Sequence, residues 1–523
     1  MTSQGGRAAP LVAAGILLSR ISGLIRQRVF AHYLGLGDAA DALSAAFRIP
    51  NLLQNLLGEG ALSAAFIPVY ARLRAQGRDQ DARAVARAVL AVLALVTAIV
   101  VLLGVLTAPW LVDVLAPGFA GDKRELTIQL VRILFPGVGV LVLSAWCLGV
   151  LNSHGRFLLS YSAPVAWNLV IIGAALAAGA SRAPGELVVV IAWAAVAGSL
   201  LQLAVQLPGV RRVLDVPGVA GAPAAPAEGV RLVARNFGPS VLSRGVLQIS
   251  AWVDMLIATL LGSGAAAALA TAQMISTLPV SLFGMSISAA ELPAMSARTG
   301  ALEPEGELRE RLENGWRRIA YFVVPSAAAF LALGHVLAGT LFQSGAFTAA
   351  DSTYIWVILS GAAVGLLATT LARLASSTFH ALGDTRTPFR FAALRMAIGV
   401  SLGVLFALVL PSRLGLDPRY GVAGLPLAGG IAGWVEFGLL RRALARRIGP
   451  VQVGAGRILV LWGAAGVAAL LAWLPLLGGV MNWSPLLGGG LVLLLFGTSY
   501  LGLTWLLGVP EARALARWGR RHG

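Results

Sequence analysis

Four polar residues recur at regular intervals in the stretch DALSAAFRIPNLLQNLLGEG, residues 41–60, which is otherwise mostly apolar. Asp41, Arg48, Asn55 and Glu59 stand at offsets 0, 7, 14 and 18. On an α-helix, which turns by about 100° per residue, these offsets fall within about 40° of one line. An arginine fork suits phosphate oxygens, and carboxylates can compete for the same fork. The stripe therefore predicts anion binding by Arg48 and Asn55, with Asp41 and Glu59 as gating groups.

Two further arginines, Arg20 and Arg26, interrupt the apolar run that precedes this stripe. A charge at the bilayer centre costs about 2.5 to 3.5 kcal/mol, so such residues must face protein or water. Together with Arg48 they outnumber the two carboxylates of the stripe, which leaves positive charge for a partner. We predict that the three arginines bind an anionic, phosphate-bearing substrate. Internal ion pairing of Arg48 with Asp41 or Glu59 is the alternative.

One carboxylate, Asp254, stands in a later apolar run, where it could hold a cation or proton that drives turnover. Its alternative role is an ion pair with Arg244 or with a residue of the next span. HExxH, CxxC, GxSxG and P-loop motifs are absent, the histidines show no ligand spacing, and there is a single cysteine. We therefore expect no metal, no cofactor and no enzymatic activity. Coupling to Na⁺, H⁺ or the membrane potential is left open.

The apolar runs around these residues determine the fold class. The chain has 523 residues, 58% of them apolar and 12% charged, and a mean hydropathy of +0.81. This composition excludes an ordinary soluble protein. A transmembrane helix needs about 20 apolar residues, and about fourteen candidate spans occur. They lie at 9–34, 41–70, 88–116, 126–152, 157–181, 186–207, 236–261, 266–296, 316–342, 352–381, 387–411, 420–440, 457–477 and 485–508. We predict an all-α polytopic membrane protein.

Basic residues are distributed unevenly between the loops that connect these spans. Alternate loops and the C-terminal tail contain most of the arginines, whereas the opposite loops hold only Lys123, Arg124, Arg182, Arg413 and Arg419. By the positive-inside rule, the arginine-rich side is cytoplasmic, as are both termini. The net charge of +17 thus indicates orientation and contact with anionic lipid, and no nucleic-acid partner is expected.

The sequence contains an internal repeat. LLSR at 17–20 recurs as VLSR at 241–244, and LAPGF at 115–119 has a counterpart in LFQSGAF at 341–347. At a shift of 228 residues, three pairs coincide: Phe119 with Phe347, Gly137 with Gly365, and Gly155 with Gly383. Six spans separate the copies, so two parallel, pseudo-symmetric six-helix lobes are predicted. The predicted domains are an N-terminal lobe (1–210), a cytoplasmic linker (211–235), a C-terminal lobe (236–447), and two further helices with a basic tail (448–523).

Several motifs in a fixed order resemble those of the MurJ/MviN family, the lipid II flippases of the multidrug/oligosaccharidyl-lipid/polysaccharide exporter superfamily. They are DAADALSAAFRIPNLLQNLLGEGALSAAFIPVYAR, LAPGF, LNSHGRF, LFQSGAFT and ALGDTRTP. The resemblance implies a fourteen-helix transporter of the bacterial inner membrane that exports lipid II, an undecaprenyl-diphosphate-linked precursor of peptidoglycan, to the outer leaflet by alternating access. It also implies that the last two helices form a groove for the lipid tail. A monomer is the default for such two-lobed transporters.

Residue by residue, the resemblance assigns the family's essential arginines to Arg20 and Arg26, and its acidic residues to Asp41 and Glu59. The sequence departs from the family at three positions: Gln54 replaces an arginine, and Gln273 and Met274 replace an Asp-Arg pair. The alternatives are therefore a flippase for another polyprenyl-linked oligosaccharide and a degenerate, non-transporting member. An intramembrane transferase is a further class, but it would need acidic and histidine clusters in its loops, where few occur.

Overall fold

Helices dominate the structure of this protein. The computed structural model describes residues 4–58, 62, 65–214, 231, 233, 235, 237, 252–285, 305–452, 454–482, 484–514 and 517. Within these ranges every extended regular element is a helix, and the β pairing is confined to an isolated bridge between Ser344 and Phe347. The all-α fold predicted from composition is confirmed.

Two compact units divide the chain, and the first comprises Met1–Leu260. Its helices are α1 (Gln4–Leu34), α2 (Asp38–Leu53), α3 (Ile67–Ala75), α4 (Asp79–Leu106), α5 (Ala108–Leu115), α6 (Gly121–Ser153), α7 (Phe157–Ala178) and α8 (Pro184–Leu214). A π-helical turn, Gln54–Gly58, follows α2, and residues 252–259 are also helical. The predicted linker 211–235 lies mostly outside the described residues, so the predicted domain boundaries stay a prediction.

The second unit comprises Leu261–Gly523. Its helices are α9 (Ala265–Pro279), α10 (Glu305–Phe342), α11 (Ala349–Ala381), α12 (Arg386–Val404), α13 (Leu410–Leu414), α14 (Gly424–Ile448), α15 (Ala455–Leu477) and α16 (Pro485–Leu506). π-helical turns follow α9 (Val280–Met285) and α12 (Leu405–Val409), and short 3₁₀ helices occupy Pro418–Ala423 and Val480–Asn482. The last two long helices, α15 and α16, both pack against α10.

Ten helices of the described chain are long and apolar enough to cross a membrane. They correspond to ten of the fourteen predicted spans: the third, fourth, sixth and eighth to fourteenth. α7 contains a shorter apolar helix, Ser162–Ala178. The remaining three candidates are α1, the interrupted α2 region, and residues 236–261, which lie largely outside the described residues.

Matched glycines bring helices into close contact within each unit. A Cβ atom on Gly137 of α6 would lie 3.2 Å from the Cα atom of Val196 on α8. A Cβ atom on Gly365, its partner in the sequence repeat, would lie 2.2 Å from the Cα atom of Gly430 on α14. A side chain at either position would therefore force the helices apart. Both copies of the repeat use the same glycine for close helix packing.

Candidate functional site

The guanidinium of Arg26 lies among aromatic rings contributed by three helices. Its Cζ atom is 4.7 Å from the ring centre of Trp167 on α7 and 5.8 Å from that of Phe30 on α1. Phe47 on α2 completes the group, with its ring centre 6.2 Å from Trp167 and 6.5 Å from Phe30. Aromatic faces attract a guanidinium without neutralising it. The aromatic box therefore stabilises a cation that keeps its full charge.

A chain of hydrogen bonds fixes one edge of the same guanidinium. Arg26 Nη1 donates to Asn168 Oδ1 at 2.8 Å, and Asn168 Nδ2 donates to Ser22 Oγ at 2.8 Å. Ser22 Oγ in turn donates to the carbonyl oxygen of Ser19 at 2.9 Å. Asn168 is almost fully buried, so its amide has little freedom to turn. The chain thereby orients Arg26 relative to its own helix.

Arg26 has an N–H donor that no described residue uses. Its Nε atom is buried and has no hydrogen-bond partner among the described residues, and none of the described carboxylates forms a salt bridge with it. A buried, uncompensated guanidinium is costly unless an anion pairs with it. The aromatic box and Asn168 together present Arg26 as a preorganised site for an anion, in agreement with its predicted role.

Asp41 has an ion-pair partner that the sequence analysis did not consider. Its side chain is fully buried, and Lys123 Nζ donates to its Oδ2 at 2.6 Å. The same lysine lies 2.9 Å from Asp38 Oδ1 and 4.3 Å from the ring centre of Phe119. Lys123 belongs to the start of α6, so this cluster joins the first turn of α2 to the first turn of α6.

Arg48 lies in the half-buried middle of α2, and Asp254 acts on it electrostatically. Both residues belong to the first compact unit. Opposite charges stabilise each other strongly where water is scarce. The structure therefore adds a third carboxylate whose charge acts on Arg48, and it relates two residues that were predicted to have separate roles.

A π-helical turn breaks the regular stripe of α2. The α-helical geometry holds through Leu53, and the residues that follow, Gln54–Gly58, form hydrogen bonds over a longer interval. Asn55 lies in this turn and is exposed, whereas Asp41 is fully buried. The π turn changes the angular step after Leu53, and the place of Asn55 in the stripe stays a prediction. Glu59 lies outside the described residues, so its gating role stays a prediction.

Arg20 has different surroundings from Arg26, although both lie on α1. The two residues are six positions apart, which places their side chains about 120° apart around an α-helix. Arg20 is exposed, while Arg26 is half-buried. Helix α1 therefore presents the two predicted substrate-binding arginines to different environments.

The second unit contains a charge cluster formed by Arg373, Arg395 and Glu436. Arg395 Nε on α12 lies 3.2 Å from Glu436 Oε2 on α14, and Arg373 on α11 also acts electrostatically on Glu436. Glu436 is 8% exposed. The signal for it was present, because WVEF places a lone carboxylate inside the predicted span 420–440. Two arginines and one carboxylate leave this cluster with one excess positive charge.

Helix α9 lacks ionisable groups. No charged residue occurs in Ala265–Pro279, and Gln273 and Met274 are both half-buried. The carbonyl oxygen of Gln273 accepts a hydrogen bond from Thr277 Oγ1 at 2.7 Å, which is a local contact within the helix. Positive charge in the second unit therefore has to come from other helices, such as α11 and α12.

The turn between α11 and α12 is stabilised by a carboxylate with a shifted pKa. Asp384 accepts hydrogen bonds from the backbone N–H of Thr387 at 3.0 Å and from its hydroxyl at 2.7 Å, and Arg447 Nη2 donates to it at 2.5 Å. These donors favour the ionised carboxylate and lower the pKa of Asp384 to about 2. The ALGDTRTP motif thus joins this turn to the end of α14.

Solved structures identify the class of protein to which this fold belongs. A structure described as "Lipid II flippase MurJ, inward closed conformation" matches with a TM-score of 0.75 and 21% identity, covering 95% of this chain and 98% of that one. An inward-facing multidrug resistance MATE family transporter of the MOP superfamily matches with a TM-score of 0.62 and 19% identity, covering 81% and 95%. The fold is that of polytopic, all-helical membrane transporters.

Sequence comparison specifies the family. The family model "Lipid II flippase MurJ" matches residues 30–495. The lipid II flippase MurJ of Burkholderia cenocepacia is 31% identical over 97% of this chain and 98% of its own, and the probable lipid II flippase MurJ of Rhizobium tropici is 33% identical over 97% and 95%. This chain belongs to the lipid II flippase MurJ family. It is a multi-pass protein of the bacterial inner membrane.

Proposed function

We propose that this protein is a lipid II flippase, which moves the undecaprenyl-diphosphate-linked head group from the inner to the outer leaflet by alternating access. The observation that supports this proposal most directly is Arg26, an uncompensated guanidinium held by Trp167 and Asn168 in a member of this family. A diphosphate has several acceptor oxygens and a high negative charge, which suit a fork of unused N–H donors.

Arg26 supplies the first contact with the diphosphate in this mechanism. Its Nη1 edge faces Asn168, so its buried Nε atom is the donor that most needs a partner. A phosphate oxygen at Nε would satisfy that donor and offset the cost of burying the charge. Because the ring of Trp167 lies against the guanidinium, Arg26 needs little reorganisation to bind. No covalent bond forms or breaks, and lipid II leaves chemically unchanged.

Arg48 and Asp254 supply the link between substrate and driving ion. A phosphate that binds Arg48 competes with Asp254 for the same guanidinium. Asp254, once released, becomes a carboxylate that can accept Na⁺ or H⁺ from the side to which the site is open. Departure of the head group then restores the attraction between Arg48 and Asp254. This exchange couples substrate movement to an ion gradient or to the membrane potential, and it needs no resident cofactor.

The orientation of the chain completes the proposal. Both termini face the cytoplasm, and the basic loops contact anionic lipid rather than nucleic acid. In this topology Lys123 lies at the outer end of the first unit, where its ion pairs with Asp38 and Asp41 join α2 to α6. Asp41 and Glu59 are the gating carboxylates, and Arg20, Arg48 and Asn55 complete the binding groups. The protein acts as a monomer.

A flippase for a different polyprenyl-linked oligosaccharide is the second candidate, and a degenerate, non-transporting member is a third. The observation that favours both is the uncharged helix α9, in which Gln273 and Met274 stand where the family resemblance implies an Asp-Arg pair. Fewer fixed charges would suit a head group with fewer acidic groups. Arg373 and Arg395, with their excess charge over Glu436, are the available replacements.

The test uses cells whose own lipid II flippase can be depleted and which produce this protein instead. An enzyme added at the outer face cleaves the lipid II that has been exported, and the cleaved fraction is measured. We expect cleavage to be restored by the natural protein and lost with Arg26→Ala. Arg182→Ala is the matched control, since Arg182 is exposed and lies in a short loop outside the helices discussed. Absence of cleavage with well-produced natural protein would contradict lipid II export.

A further inference from the structure

A polar cleft opens on the surface of the first unit, away from Arg26. It has a volume of about 780 Å³ and lies between α6 and α8. Asp122, Glu125, Gln129 and Arg132 line it from α6, and Trp193 lines it from α8. Steps of three, four and three residues place the four polar side chains on one face of α6. All four are exposed.

The cleft lies where lipid surrounds the protein. On one side, Gly104 of α4 packs against Phe135 of α6, and α4 exposes large apolar side chains such as Leu102, which is 59% exposed. On the other side, Trp193 of α8 is also 59% exposed. Exposed apolar surfaces on both neighbouring helices are what lipid chains cover. The polar stripe of α6 therefore faces the bilayer between two apolar surfaces.

Along the membrane normal, the cleft lies at the level of the lipid head groups. A mostly apolar run, residues 133–151, begins directly after Arg132. At 1.5 Å per residue this run spans about 28 Å, close to the hydrocarbon thickness of a bilayer. Side chains on a helix lean toward its N-terminus, so Arg132 leans out of the hydrocarbon toward Gln129 and Glu125. The charged part of the cleft thus lies at the membrane boundary.

Within the described chain, only some of the charged side chains in the cleft form ion pairs. Neither Arg132 nor Asp122 has an ion pair or side-chain hydrogen bond within the described chain. Arg124 is occupied elsewhere: its Nε and Nη2 atoms donate to Asp113 at 2.6 and 3.0 Å, and its Nη1 atom donates to Glu125 Oε1 at 2.7 Å. The cleft therefore offers one guanidinium near the hydrocarbon and carboxylate oxygens about two to three turns further out.

We propose that this cleft binds the head group of a phospholipid that has a primary ammonium group. The phosphate binds Arg132, the ammonium binds Asp122 and Glu125, and Trp193 packs against the upper acyl chain. This order matches the lipid, in which the phosphate lies closer to the chains than the amine does. A head group with only negative charge meets two carboxylates, and a choline group has no N–H to donate to them. The proposal does not rest on the proposed transport function.

The test is native mass spectrometry of the purified full-length protein, titrated with dioleoyl phosphatidylethanolamine, phosphatidylcholine or phosphatidylglycerol. We expect the first phosphatidylethanolamine to bind about fivefold more tightly than either other lipid, as two modest charge-assisted hydrogen bonds would allow. Asp122→Asn with Glu125→Gln should remove this preference. Arg132→Gln should weaken the first phosphatidylethanolamine and the first phosphatidylglycerol alike, because both have the phosphate.

Arg182→Gln is the matched control, because it removes an exposed arginine of the same unit without touching the cleft. It should bind all three lipids as the natural protein does. Circular dichroism and elution volume establish that each variant is folded. The proposal is overturned if the natural protein shows no preference for phosphatidylethanolamine, which would indicate a non-specific lipid shell. It is equally overturned if the preference survives Asp122→Asn with Glu125→Gln, or if Arg132→Gln leaves the affinity for phosphatidylethanolamine unchanged.

Discussion

In each unit, a helix that contains a proline continues into a π-helical turn, but one of these helices is charged and the other is not. In the first unit, α2 contains Pro50 and continues into the π-helical turn Gln54–Gly58. In the second, α9 ends at Pro279 and continues into the π-helical turn Val280–Met285. A proline removes one backbone donor, and a π turn accommodates the resulting change in hydrogen bonding. Yet α2 contains three charged residues, whereas α9 contains none.

The same contrast appears in how each unit treats its arginines. In the first unit, Arg26 is surrounded by aromatic rings and an amide, none of which neutralises it. In the second, Arg395 lies against the carboxylate of Glu436, and the excess positive charge of that cluster belongs to Arg373. A neutralised arginine contributes mainly to structure, while an uncompensated one is available to an anion. We infer that the duplication repeats the helix geometry in both units, whereas anion binding depends chiefly on the first unit.

The largest expected effect is that of replacing arginine by lysine in each unit. Arg26→Lys keeps the charge but loses the planar fork, so we expect export of lipid II per molecule to fall by about 10- to 100-fold. Arg395→Lys should change export by less than about twofold, because its contact with Glu436 needs only a positive charge. The cleavage assay in flippase-depleted cells measures both. Equal losses at the two sites would remove the contrast between the units.

Next in size are the effects of neutralising one carboxylate in each unit. Asp254→Asn removes the partner that competes with phosphate for Arg48, so export should fall by about tenfold with Tm unchanged. Glu436→Gln leaves two arginines without their carboxylate and should lower stability by about 1 kcal/mol while export per folded molecule is retained. Thermal unfolding and the cleavage assay separate these outcomes. Loss of export without loss of stability in Glu436→Gln would assign a transport role to the second unit.

The sequence allowed the fold class to be predicted because helical spans and their charges are local signals. Length, hydropathy and the repeat that pairs Gly137 with Gly365 need no knowledge of distant contacts. The structure confirms the helical fold and adds a shared packing role for the two glycines. The importance of Arg26 also follows locally, since an arginine in an apolar run requires a partner.

The contacts of the site could not be predicted because they join distant segments. Asp41 and Lys123 are 82 residues apart, and Arg26 and Asn168 are 142 residues apart. Lys123 was interpreted as a loop residue, since its sequence neighbours are charged. The π-helical turn after α2 could not be predicted for a different reason: a proline predicts an irregularity, but not whether it becomes a kink or a π-helical turn.

A smaller effect is expected from removing the amide that orients Arg26. Asn168→Leu deletes the acceptor for Arg26 Nη1, so the guanidinium loses its fixed orientation while its charge is kept. In proteoliposomes we expect the half-saturating concentration of lipid II to rise about fivefold, with the maximal rate nearly unchanged. Asn314→Leu is the control in the second unit, because Asn314 accepts a hydrogen bond from Arg317 Nη1 at 3.3 Å. An equal rise in both variants would indicate a general structural effect.

The smallest effect concerns the turns that close α6 and α11. Gly155 and Gly383 both adopt left-handed backbone angles, with φ of +71° and +75°, but the residues that follow them are Arg156 and Asp384. Hydrogen bonds lower the pKa of Asp384 to about 2, below its unfolded value of about 3.9. The contribution of the ionised carboxylate to the free energy of unfolding is therefore complete above about pH 4 and is lost as the pH falls toward 2. Asp384→Asn should therefore lower Tm at pH 6, and the difference from the natural protein should vanish on acidification.

Arg156→Gln should show no such acid dependence, since an arginine does not titrate in this range. Thermal unfolding of the detergent-purified proteins between pH 6 and pH 2.5 measures this difference, and a gap that persists at the acid end would contradict an ionised Asp384 as its cause.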